Sequence, residues 1–266
     1  MSLVDYNLFT GEKENKVEIA IELLKTLEPP EGYYFKDSGG KDSSSVKRLL
    51  DMAGVKYESH NNNTTCEPPE LRKFLKDYHP DTIIENPEIT MWRLIVKKMF
   101  PPYRHQVYCC EVLKERTVIG HRIVLGIRAA ESRGRAQRRC FETAVNDPAQ
   151  TIVNPILYWS DADVWEFHRV EKIPYCGLYD EGFKRLGCIM CPKAGGPQMM
   201  KEAKRWPKYY EAYLRAFDRM LEARRQAGKT TKIGNTAEEV MFWWMRMNNK
   251  KPVPQPVFEA WKKDLA

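Results

Sequence analysis

The sequence lacks long apolar runs, low-complexity tracts and internal repeats. No stretch of about eighteen consecutive apolar residues occurs, which excludes a membrane-spanning helix. The first twenty residues carry four acidic side chains, which argues against a secretory signal. We therefore expect a cytoplasmic protein that has no membrane partner.

Acidic residues are fewer than basic ones, 36 against 43, which leaves a formal net charge of +7. An excess of this size suits an anionic ligand, such as a nucleotide, a sulfate compound or a nucleic acid, and does not choose among them. The hydrophobic fraction of 42% is ample for a buried core and argues against disorder. In a chain without an export signal, the seven cysteines indicate thiols for metal or redox chemistry, because disulfide frameworks belong to secreted proteins.

Strand-like and helix-like patterns alternate over residues 1–197. Such alternation, in units of about 25–35 residues, predicts an α/β fold with a Rossmann-like, layered, mostly parallel sheet and helices on both faces. Residues 198–266 show no strand pattern, and their basic, aromatic-rich helices predict a helical C-terminal appendage. The predicted strands are 33–35, 55–57, 82–84 and 119–127, and the predicted helices are 17–24, 46–50, 71–78, 92–100, 161–171, 199–227 and 236–247.

A loop with the composition of a phosphate site follows the strand predicted at 33–35. Its glycines let backbone N–H groups point into the loop, the following helix adds partial positive charge, and Lys41 adds a full charge. The spacing is not that of the Walker loop. An ordinary helix N-cap is the alternative for such a string. The predicted phosphate-binding residues are Ser38, Gly39, Gly40, Lys41, Asp42 and Ser43.

Five arginines are crowded into twelve residues directly after the strand predicted at 119–127. Ligands of open α/β sheets collect at the carboxyl ends of the strands, and guanidinium groups bind phosphate or sulfate oxygens in pairs. A solvated basic helix face and a nucleic-acid contact are the alternatives. The five are Arg128, Arg133, Arg135, Arg138 and Arg139.

Four cysteines form two close pairs, Cys109-Cys110, which follows a predicted helix, and the Cys-x-x-Cys pair Cys188 and Cys191. A Cys-x-x-Cys pair alone fits zinc, a thioredoxin-like redox pair or cluster ligation. Adjacent cysteines are uncommon in tetrahedral zinc sites, whereas four thiolates from two distant segments can hold a 4Fe-4S cluster. Zinc and unligated thiols remain the alternatives.

The loop at Ser38 resembles the PP-loop of the ATP-pyrophosphatase superfamily, whose members adenylate a substrate or handle adenylyl-sulfate compounds. Further segments resemble phosphoadenylyl-sulfate reductases over about residues 30–195. The resemblance implies an adenine-nucleotide α-hydrolase-like fold and a bound adenine nucleotide, either ATP or adenylyl sulfate. With their place after a strand, it favours Arg128 and Arg135 as anion-binding residues. The matching segments include Gly126-Ile127-Arg128, Asn154-Pro155-Ile156, Ile173-Pro174-Tyr175, Leu178-Tyr179-Asp180 and Gly187-Cys188.

The order of the cysteines resembles the 4Fe-4S motif of assimilatory adenylyl-sulfate reductases and of a related ATP-using enzyme of DNA phosphorothioation. This resemblance implies a 4Fe-4S cluster held by Cys109, Cys110, Cys188 and Cys191, with zinc as the lesser alternative. Lys114 lies near the cluster or the substrate in this interpretation, and a surface lysine is its alternative.

Two features depart from the reductases. Those enzymes carry a nucleophilic cysteine near the C-terminus, whereas no cysteine follows Cys191 here. Cys176 is the leading candidate for a substitute nucleophile, ahead of Cys66 and Cys140, and a buried spare cysteine is the alternative for each. Reductases also typically lack a lysine in the loop. Lys41 and Asp42 resemble the loop of ATP-cleaving members, in which the lysine neutralises the pyrophosphate leaving group and Mg²⁺ is expected beside the aspartate.

The leading hypothesis is an enzyme of the phosphoadenylyl-sulfate reductase family that uses ATP to adenylate an acceptor and then transfers sulfur. The second is a sulfonucleotide reductase with a relocated nucleophile, whose partner is thioredoxin or another thiol donor. The third is a non-catalytic nucleotide- or nucleic-acid-binding component. A sulfur-donor protein and a nucleic-acid acceptor fit the first hypothesis.

The basic residues of the predicted appendage favour a nucleic acid as the acceptor. The alternative is that they form a solvated helix face opposite an aromatic core. The basic residues are Lys201, Lys204, Arg205, Lys208, Arg215, Arg219, Arg224 and Arg225, and the aromatic ones are Tyr209, Tyr210, Tyr213 and Phe217.

Overall fold

The computed structural model describes residues 3–6, 13–114, 121–144, 147–230, 232–247 and 254–263. The chain divides into two compact units, each built from several segments. The first comprises Met1–Asn62, Pro69–Glu85 and Thr117–Leu186, and the second comprises Asn63–Pro68, Asn86–Arg116 and Gly187–Ala266. This division differs from the predicted boundary between residues 197 and 198, because earlier segments of the chain join the C-terminal helices in the second unit.

The first unit contains a six-stranded sheet and a separate antiparallel pair. The sheet has the order β5-β4-β3-β6-β8-β7, in which every neighbouring pair is parallel except β7 and β8. The predicted mostly parallel, Rossmann-like α/β fold is therefore confirmed. The strands are β1 (Val4–Tyr6), β2 (Lys13–Asn15), β3 (Tyr33–Lys36), β4 (Tyr57–Asn62), β5 (Ile83–Glu85), β6 (Arg122–Val124), β7 (Phe141–Ala144) and β8 (Asp147–Val153).

Eleven α-helices occur among the described residues, and no helix there is long and apolar enough to cross a membrane. Helices α1, α2, α3, α6 and α7 belong to the first unit, and the others belong to the second. The helices are α1 (Lys16–Thr26), α2 (Lys41–Ala53), α3 (Pro69–Tyr78), α4 (Met91–Lys98), α5 (Tyr108–Leu113), α6 (Arg133–Ala136), α7 (Asp161–Glu171), α8 (Gly196–Arg205), α9 (Pro207–Gln226), α10 (Ala237–Met247) and α11 (Gln255–Lys263).

The core of the first unit follows from the alternation of side chains along β3. Tyr33 and Phe35 pack with Leu24 of α1 and Leu49 of α2 in the main apolar cluster. Tyr34 belongs to a smaller cluster with Ile123, because successive side chains of a strand point to opposite faces. Helix α2 contacts both α1 and α7, so the helix that follows the glycine loop is fixed from two sides.

The second unit is built around α9. Helix α4 packs against α9, and the ring of Trp92 meets that of Tyr213 edge-on at 4.9 Å. Tyr213 also lies 4.7 Å from the ring of Trp244 on α10. Tyr210, Tyr213 and Phe217 are buried, while Tyr209 is half-buried. This aromatic stripe is therefore core, which was the alternative reading to a surface for stacked bases.

Three sequence predictions are corrected by the structure. The strand predicted at 55–57 begins only at Tyr57 and runs through polar residues, which backbone pairing with β3 holds extended. Cys109 and Cys110 follow α4, as predicted, and lie inside the short helix α5, which was not predicted. Pro207, which has no N–H, divides the predicted helix 199–227 into α8 and α9. The strand predicted at 119–127 is shorter in the structure, where β6 ends at Val124, and its residues 119 and 120 lie outside the described residues. Strands β7 and β8 were not predicted.

Candidate functional sites

The glycine loop joins the carboxyl end of β3 to the N-terminus of α2. Gly39 has a φ of +69°, a left-handed conformation that L side chains rarely adopt. Gly40 is the N-cap of α2 and supplies no side-chain cap, so the first N–H of the helix, that of Lys41, takes its partner from a distant part of the chain. A side chain at Gly126 would come within 3.1 Å of the backbone of Asp42. The backbone is thus arranged as in an anion site at a helix N-terminus.

Asp37, which was not among the predicted site residues, anchors the loop. Its buried carboxylate accepts hydrogen bonds from the N–H of Gly39 at 2.8 Å and the hydroxyl of Ser43 at 3.0 Å. It also contacts the ring of His79 and the hydroxyl of Thr82. Burial raises the pKa of Asp37, but the hydrogen bonds from His79, Gly39 and Ser43 outweigh it, so the pKa lies below its usual value. An ionised Asp37 therefore fixes the loop.

Two buried cations meet two carboxylates at the start of α2. The Lys41 ammonium lies 3.1 Å from Asp42 and 3.0 Å from Asp161, and its side chain is only 3% exposed. The Arg128 guanidinium contacts the same carboxylates, at 2.6 Å from Asp42 and 2.9 Å from Asp161. Burial raises the pKa of Asp161, yet Lys41 and Arg128 hold it below its usual value. The structure thus brings together Lys41, Asp42 and Arg128, and it adds Asp161, which the sequence prediction missed.

Arg135 lies in α6 and is paired with Glu131. Glu131 also accepts the backbone N–H of Arg128 at 3.2 Å, so one carboxylate links the two predicted arginines. Burial and the nearby charge of Arg185 lower the pKa of Arg135, while the carboxylate of Asp42 raises it. The guanidinium of Arg135 is therefore paired with Glu131, and the structure gives it no direct contact with residues 38–43 among the contacts of the described residues. Of the other predicted arginines, Arg138 is paired with Glu142, and Arg133 and Arg139 are exposed.

Aromatic residues from α7 and the turn that follows it pack beside the glycine loop. The hydroxyl of Tyr179 accepts the backbone N–H of Lys41 at 3.0 Å. The ring of Trp165 lies 6.0 Å from the Lys41 ammonium and 5.3 Å from the ring of Tyr179. On the other side of the helix start, a ring nitrogen of His168 lies 2.8 Å from the carbonyl oxygen of Lys41. The backbone of Lys41 is therefore held by two side chains from α7 and the turn that follows it.

The four predicted metal-binding cysteines line one cavity in the second unit. The space inside this cavity, part of it open to solvent, is about 320 Å³, and its other lining residues include Thr64, Lys114 and Tyr213. Within the described ranges, no three His, Cys, Asp or Glu side chains are arranged to hold a single metal ion. The cavity-lining cysteines are Cys109, Cys110, Cys188 and Cys191.

The Cys-x-x-Cys segment is held in place by groups from three other segments. Met190 adopts a left-handed φ of +57°, and its N–H donates to the buried carboxylate of Glu202 on α8 at 2.5 Å. Burial raises the pKa of Glu202. Ile189 donates its N–H to the carbonyl oxygen of Cys66 at 2.7 Å and accepts the Tyr213 hydroxyl at 3.1 Å. Residues beyond 195 therefore shape the segment that carries two of the cysteines.

Cys66 proves to be a fifth thiol beside this cavity. It is fully buried, and the hydroxyl of Thr64 lies 3.5 Å from its sulfur and 3.2 Å from that of Cys188. The hydrogen bond between the two thiols, together with burial, raises the pKa of Cys66. The same bond lowers the pKa of Cys188, burial opposes it, and the charge of Lys114 lowers it further. For Cys109, the thiol of Cys110 and burial raise the pKa.

The remaining cysteines lie in the first unit. Burial raises the pKa of Cys176, and the carboxylates of Glu70 and Glu181 raise it further. Cys140 also has a raised pKa, because of burial and the charge of Glu142. A nucleophilic cysteine needs the opposite, namely a lowered pKa that yields thiolate. The environments of Cys176, Cys140 and Cys66 therefore do not favour the predicted nucleophilic role, which stays a prediction.

A sequence profile described as the phosphoadenosine phosphosulfate reductase domain matches residues 33–194. This match covers more than half of the chain, from the strand before the glycine loop to the Cys-x-x-Cys pair. The chain belongs to the phosphoadenosine phosphosulfate reductase domain family. The family expected from the loop and the cysteine motif is thereby confirmed.

Several curated proteins are similar in sequence to parts of this chain. An uncharacterized protein of Methanocaldococcus jannaschii is 31% identical over 192 residues, which are 66% of this chain and 39% of that protein. The adenosine 5'-phosphosulfate reductase of Allochromatium vinosum is 34% identical over 91 residues, 32% of this chain and 35% of that protein. The flavin adenine dinucleotide synthase of Saccharomyces cerevisiae is 29% identical over 121 residues, 45% of this chain and 39% of that protein. The chain thus spans less than half the length of these curated relatives.

Solved structures of low identity are similar to this family member. Phosphoadenylyl-sulfate reductase from Candida auris has a TM-score of 0.49 and 17% identity, with 64% of this chain and 87% of that chain covered. Yeast FAD synthetase has a TM-score of 0.47 and 16% identity, with 88% of each chain covered. The strand order of the sheet, and not these likenesses, carries the fold assignment.

Proposed function

We propose that the chain binds the phosphate groups of an adenine nucleotide at the loop from Ser38 to Ser43. One observation carries this proposal: Lys41 and Arg128, both buried, converge at the N-terminus of α2. Burying two cations is costly unless anions compensate them, and the carboxylates of Asp42 and Asp161 compensate them here. An adenylyl or pyrophosphate group has the charge and the acceptor oxygens to take over that role.

We further propose that the bound nucleotide is ATP and that the reaction is adenylation of an acceptor. An acceptor oxygen attacks the α-phosphorus, the bond from that phosphorus to the bridging oxygen breaks, and pyrophosphate leaves with the bond's electron pair. Lys41 and Arg128 would stabilise the charge that builds on the leaving group. Mg²⁺ would be held by Asp42 with the nucleotide phosphates, since carboxylate and phosphate oxygens are its usual ligands. A nucleophilic sulfur at the sulfide level, supplied by a sulfur-donor protein, would then attack the activated position, and AMP would leave with the electron pair of the bond that breaks.

We propose that the cysteine cavity holds a 4Fe-4S cluster. The donor set supports this, because the four thiols of Cys109, Cys110, Cys188 and Cys191 line one space and come from two distant segments. The cluster would supply iron sites that bind or relay sulfur. The chain's part is to hold the thiols, through Glu202 and Tyr213, and to place the charge of Lys114 beside them.

The adenylation proposal is tested by pyrophosphate release from ATP with anaerobically prepared protein and candidate acceptors, including tRNA and DNA. We expect Lys41→Ala to lower the rate at least about 100-fold, since it removes the main charge facing the leaving group. Lys47→Ala is the matched control, because Lys47 lies on the same helix but pairs with Asp81. Equal rates in the two variants, or ATP binding without pyrophosphate release with any acceptor, would overturn the proposal and leave a non-catalytic binding component.

The cluster proposal is tested by iron and acid-labile sulfide analysis of protein prepared without oxygen. We expect about four irons and four sulfides per chain. Cys191→Ser should lose them, whereas Cys140→Ser, in the other unit, should retain them. Stoichiometric zinc in the same preparation would contradict the cluster.

Reduction of adenylyl sulfate or phosphoadenylyl sulfate is the second candidate, and the domain family favours it. It predicts sulfite release with thioredoxin or another thiol donor and loss of that activity in Cys176→Ala. The raised pKa of Cys176 argues against it. Absence of sulfite from either sulfonucleotide would exclude this candidate.

A further inference from the structure

We infer that Tyr179 is a phosphate-binding residue. Its hydroxyl accepts a hydrogen bond from the first backbone N–H of α2 and donates a hydrogen bond to a nucleotide phosphate. The inference rests on the proposed phosphate site and adds a residue that lies 138 positions beyond Lys41.

The hydrogen bond between Tyr179 and Lys41 has a defined direction. The backbone N–H of Lys41 is the donor, and the Tyr179 oxygen accepts it at 3.0 Å. This amide opens the helix and would otherwise face an anion directly. Because the hydroxyl of Tyr179 lies between this amide and a ligand, the amide acts on the ligand only through the hydrogen bond that the hydroxyl donates.

The Tyr179 hydroxyl can donate one hydrogen bond. A tyrosine hydroxyl accepts and donates, and among the contacts of the described residues the Tyr179 hydroxyl only accepts. Accepting from a helix amide polarises the O–H bond and strengthens the bond that it donates in turn. Burial raises the pKa of Tyr179, so the hydroxyl keeps its proton throughout the neutral range.

The ring of Tyr179 is fixed, so the hydroxyl does not simply swing away from the loop. Tyr179 ends a short 3-10 turn, and its N–H donates to the carbonyl oxygen of Cys176 at 3.1 Å. The rings of Trp165 and Tyr175 pack against it at 5.3 and 6.3 Å. A side chain at Gly40 would lie 3.4 Å from the hydroxyl, so glycine leaves the space between loop and ring open.

The neighbouring charges select the ligand. The amide that Tyr179 caps belongs to Lys41, whose ammonium and the Arg128 guanidinium meet at the same two carboxylates. A neutral donor beside two cations suits a phosphoryl oxygen, whereas a cation would be repelled. The ligand class is therefore the pyrophosphate portion of a nucleotide, and inorganic pyrophosphate is the smallest probe of it.

The test is calorimetric titration of inorganic pyrophosphate into the wild type, Tyr179→Phe and Tyr175→Phe. Phenylalanine keeps the ring over the Lys41 amide and removes only the hydroxyl. We expect the Kd of Tyr179→Phe to rise about tenfold or more, as for a lost hydrogen bond to a charged group. Tyr175→Phe is the matched control, since its hydroxyl bonds to Asp180, and its Kd should stay within about twofold of the wild type.

The outcomes separate this inference from the proposed site. If the wild type does not bind pyrophosphate, or binds it equally well as Lys41→Ala, the phosphate site itself fails. If the wild type binds and Lys41→Ala does not, an unchanged or lower Kd in Tyr179→Phe overturns the role of Tyr179 alone. Thermal unfolding of ligand-free Tyr179→Phe, expected within a few degrees of the wild type, separates loss of binding from loss of fold.

Discussion

Asp161 contacts both buried cations at the start of α2, Lys41 and Arg128. One of its oxygens lies 3.0 Å from the Lys41 ammonium and 2.9 Å from the Arg128 guanidinium, yet its side chain is 65% exposed. A carboxylate this exposed can turn toward solvent at little cost. We therefore propose that Asp161 turns away from Lys41 and Arg128 when a phosphate group binds to them.

We predict that Asp161→Asn binds inorganic pyrophosphate about three- to fivefold more tightly than the wild type in Mg²⁺-free buffer, because it removes a competing exposed charge. Asp81→Asn makes the same change in net charge away from the loop and should leave the Kd unchanged. Calorimetric titration at low salt gives both values. A weaker affinity in Asp161→Asn would mean that the carboxylate helps to bind the ligand instead of competing with it.

Asp37 shows that the loop depends on a carboxylate that never touches the ligand in our proposal. Its pKa lies below the usual 3.8, because hydrogen bonds to the ionised form outweigh the effect of burial. A carboxyl group whose pKa falls on folding stabilises the protein above its unfolded pKa. That contribution disappears as the pH falls through the folded pKa.

We therefore predict that Asp37→Asn lowers the free energy of unfolding by about 3 kcal/mol at pH 7, the scale of a broken buried ionic network. The difference from the wild type should shrink as the pH is lowered below 3.8. Urea unfolding across this range measures both quantities. A difference that stays constant down to the lowest pH would show that Asp37 acts by shape and not by charge.

The loop between β3 and α2 could be predicted as an element because its six residues are contiguous. The residue types in this loop indicate that a helix begins here, that the backbone bends at a glycine and that Lys41 supplies a positive charge. They do not reveal what packs over the bend. In the structure, a side chain at Gly39 would meet Leu75 of α3 at 2.8 Å, so the close packing of a distant helix also requires glycine here.

This difference predicts unequal costs of an alanine substitution at two glycines with nearly the same positive φ. Gly54, at the C-terminal end of α2, has a φ of +67° and open space around it, so Gly54→Ala should cost about 1 kcal/mol of unfolding free energy. Gly39→Ala bears the same backbone strain and a clash, and should cost about 2–4 kcal/mol. Urea unfolding compares the two variants, and equal costs would show that Leu75 moves aside.

The Cys-x-x-Cys segment is a different case. Sequence spacing identifies the cysteines but not the left-handed Met190 or the carboxylate of Glu202 that receives its N–H. Glu202 comes from a helix outside the matched family domain, in a part of the chain that was predicted as a separate appendage. The cysteine segment and the C-terminal helices therefore form one structural unit.

The division into two compact units bears on whether residues 1–197 can fold without residues 198–266. If residues 198–266 were an appendage, residues 1–197 would fold alone. Instead α9 covers α4, and Arg224 of α9 donates to the carbonyl oxygen of Met99 at 2.7 Å. Removing α9 would take the ring of Tyr213 away from that of Trp92 on α4.

We predict that a 1–197 fragment loses hydrogen-exchange protection in α4 and α5, and with it the ability to retain iron. The full-length chain is the reference in both measurements. The first unit, with its own core, should keep protected strands β3 and β6 in the fragment. Retained protection in α4 would support the boundary predicted between residues 197 and 198.

Local order along the chain determined the phosphate loop, the alternating strands and helices, the paired cysteines and the family, because each is written in contiguous residues or regular spacing. Asp161, Tyr179 and the pairing of Cys66 with Cys188 were not accessible in this way. Each depends on which strand lies beside which and where a helix returns, so contacts between residues more than a hundred positions apart follow from the sheet order and the packing. The positive charge predicted an anionic ligand, and the fold places the carboxylates of Asp42 and Asp161 beside Lys41 and Arg128.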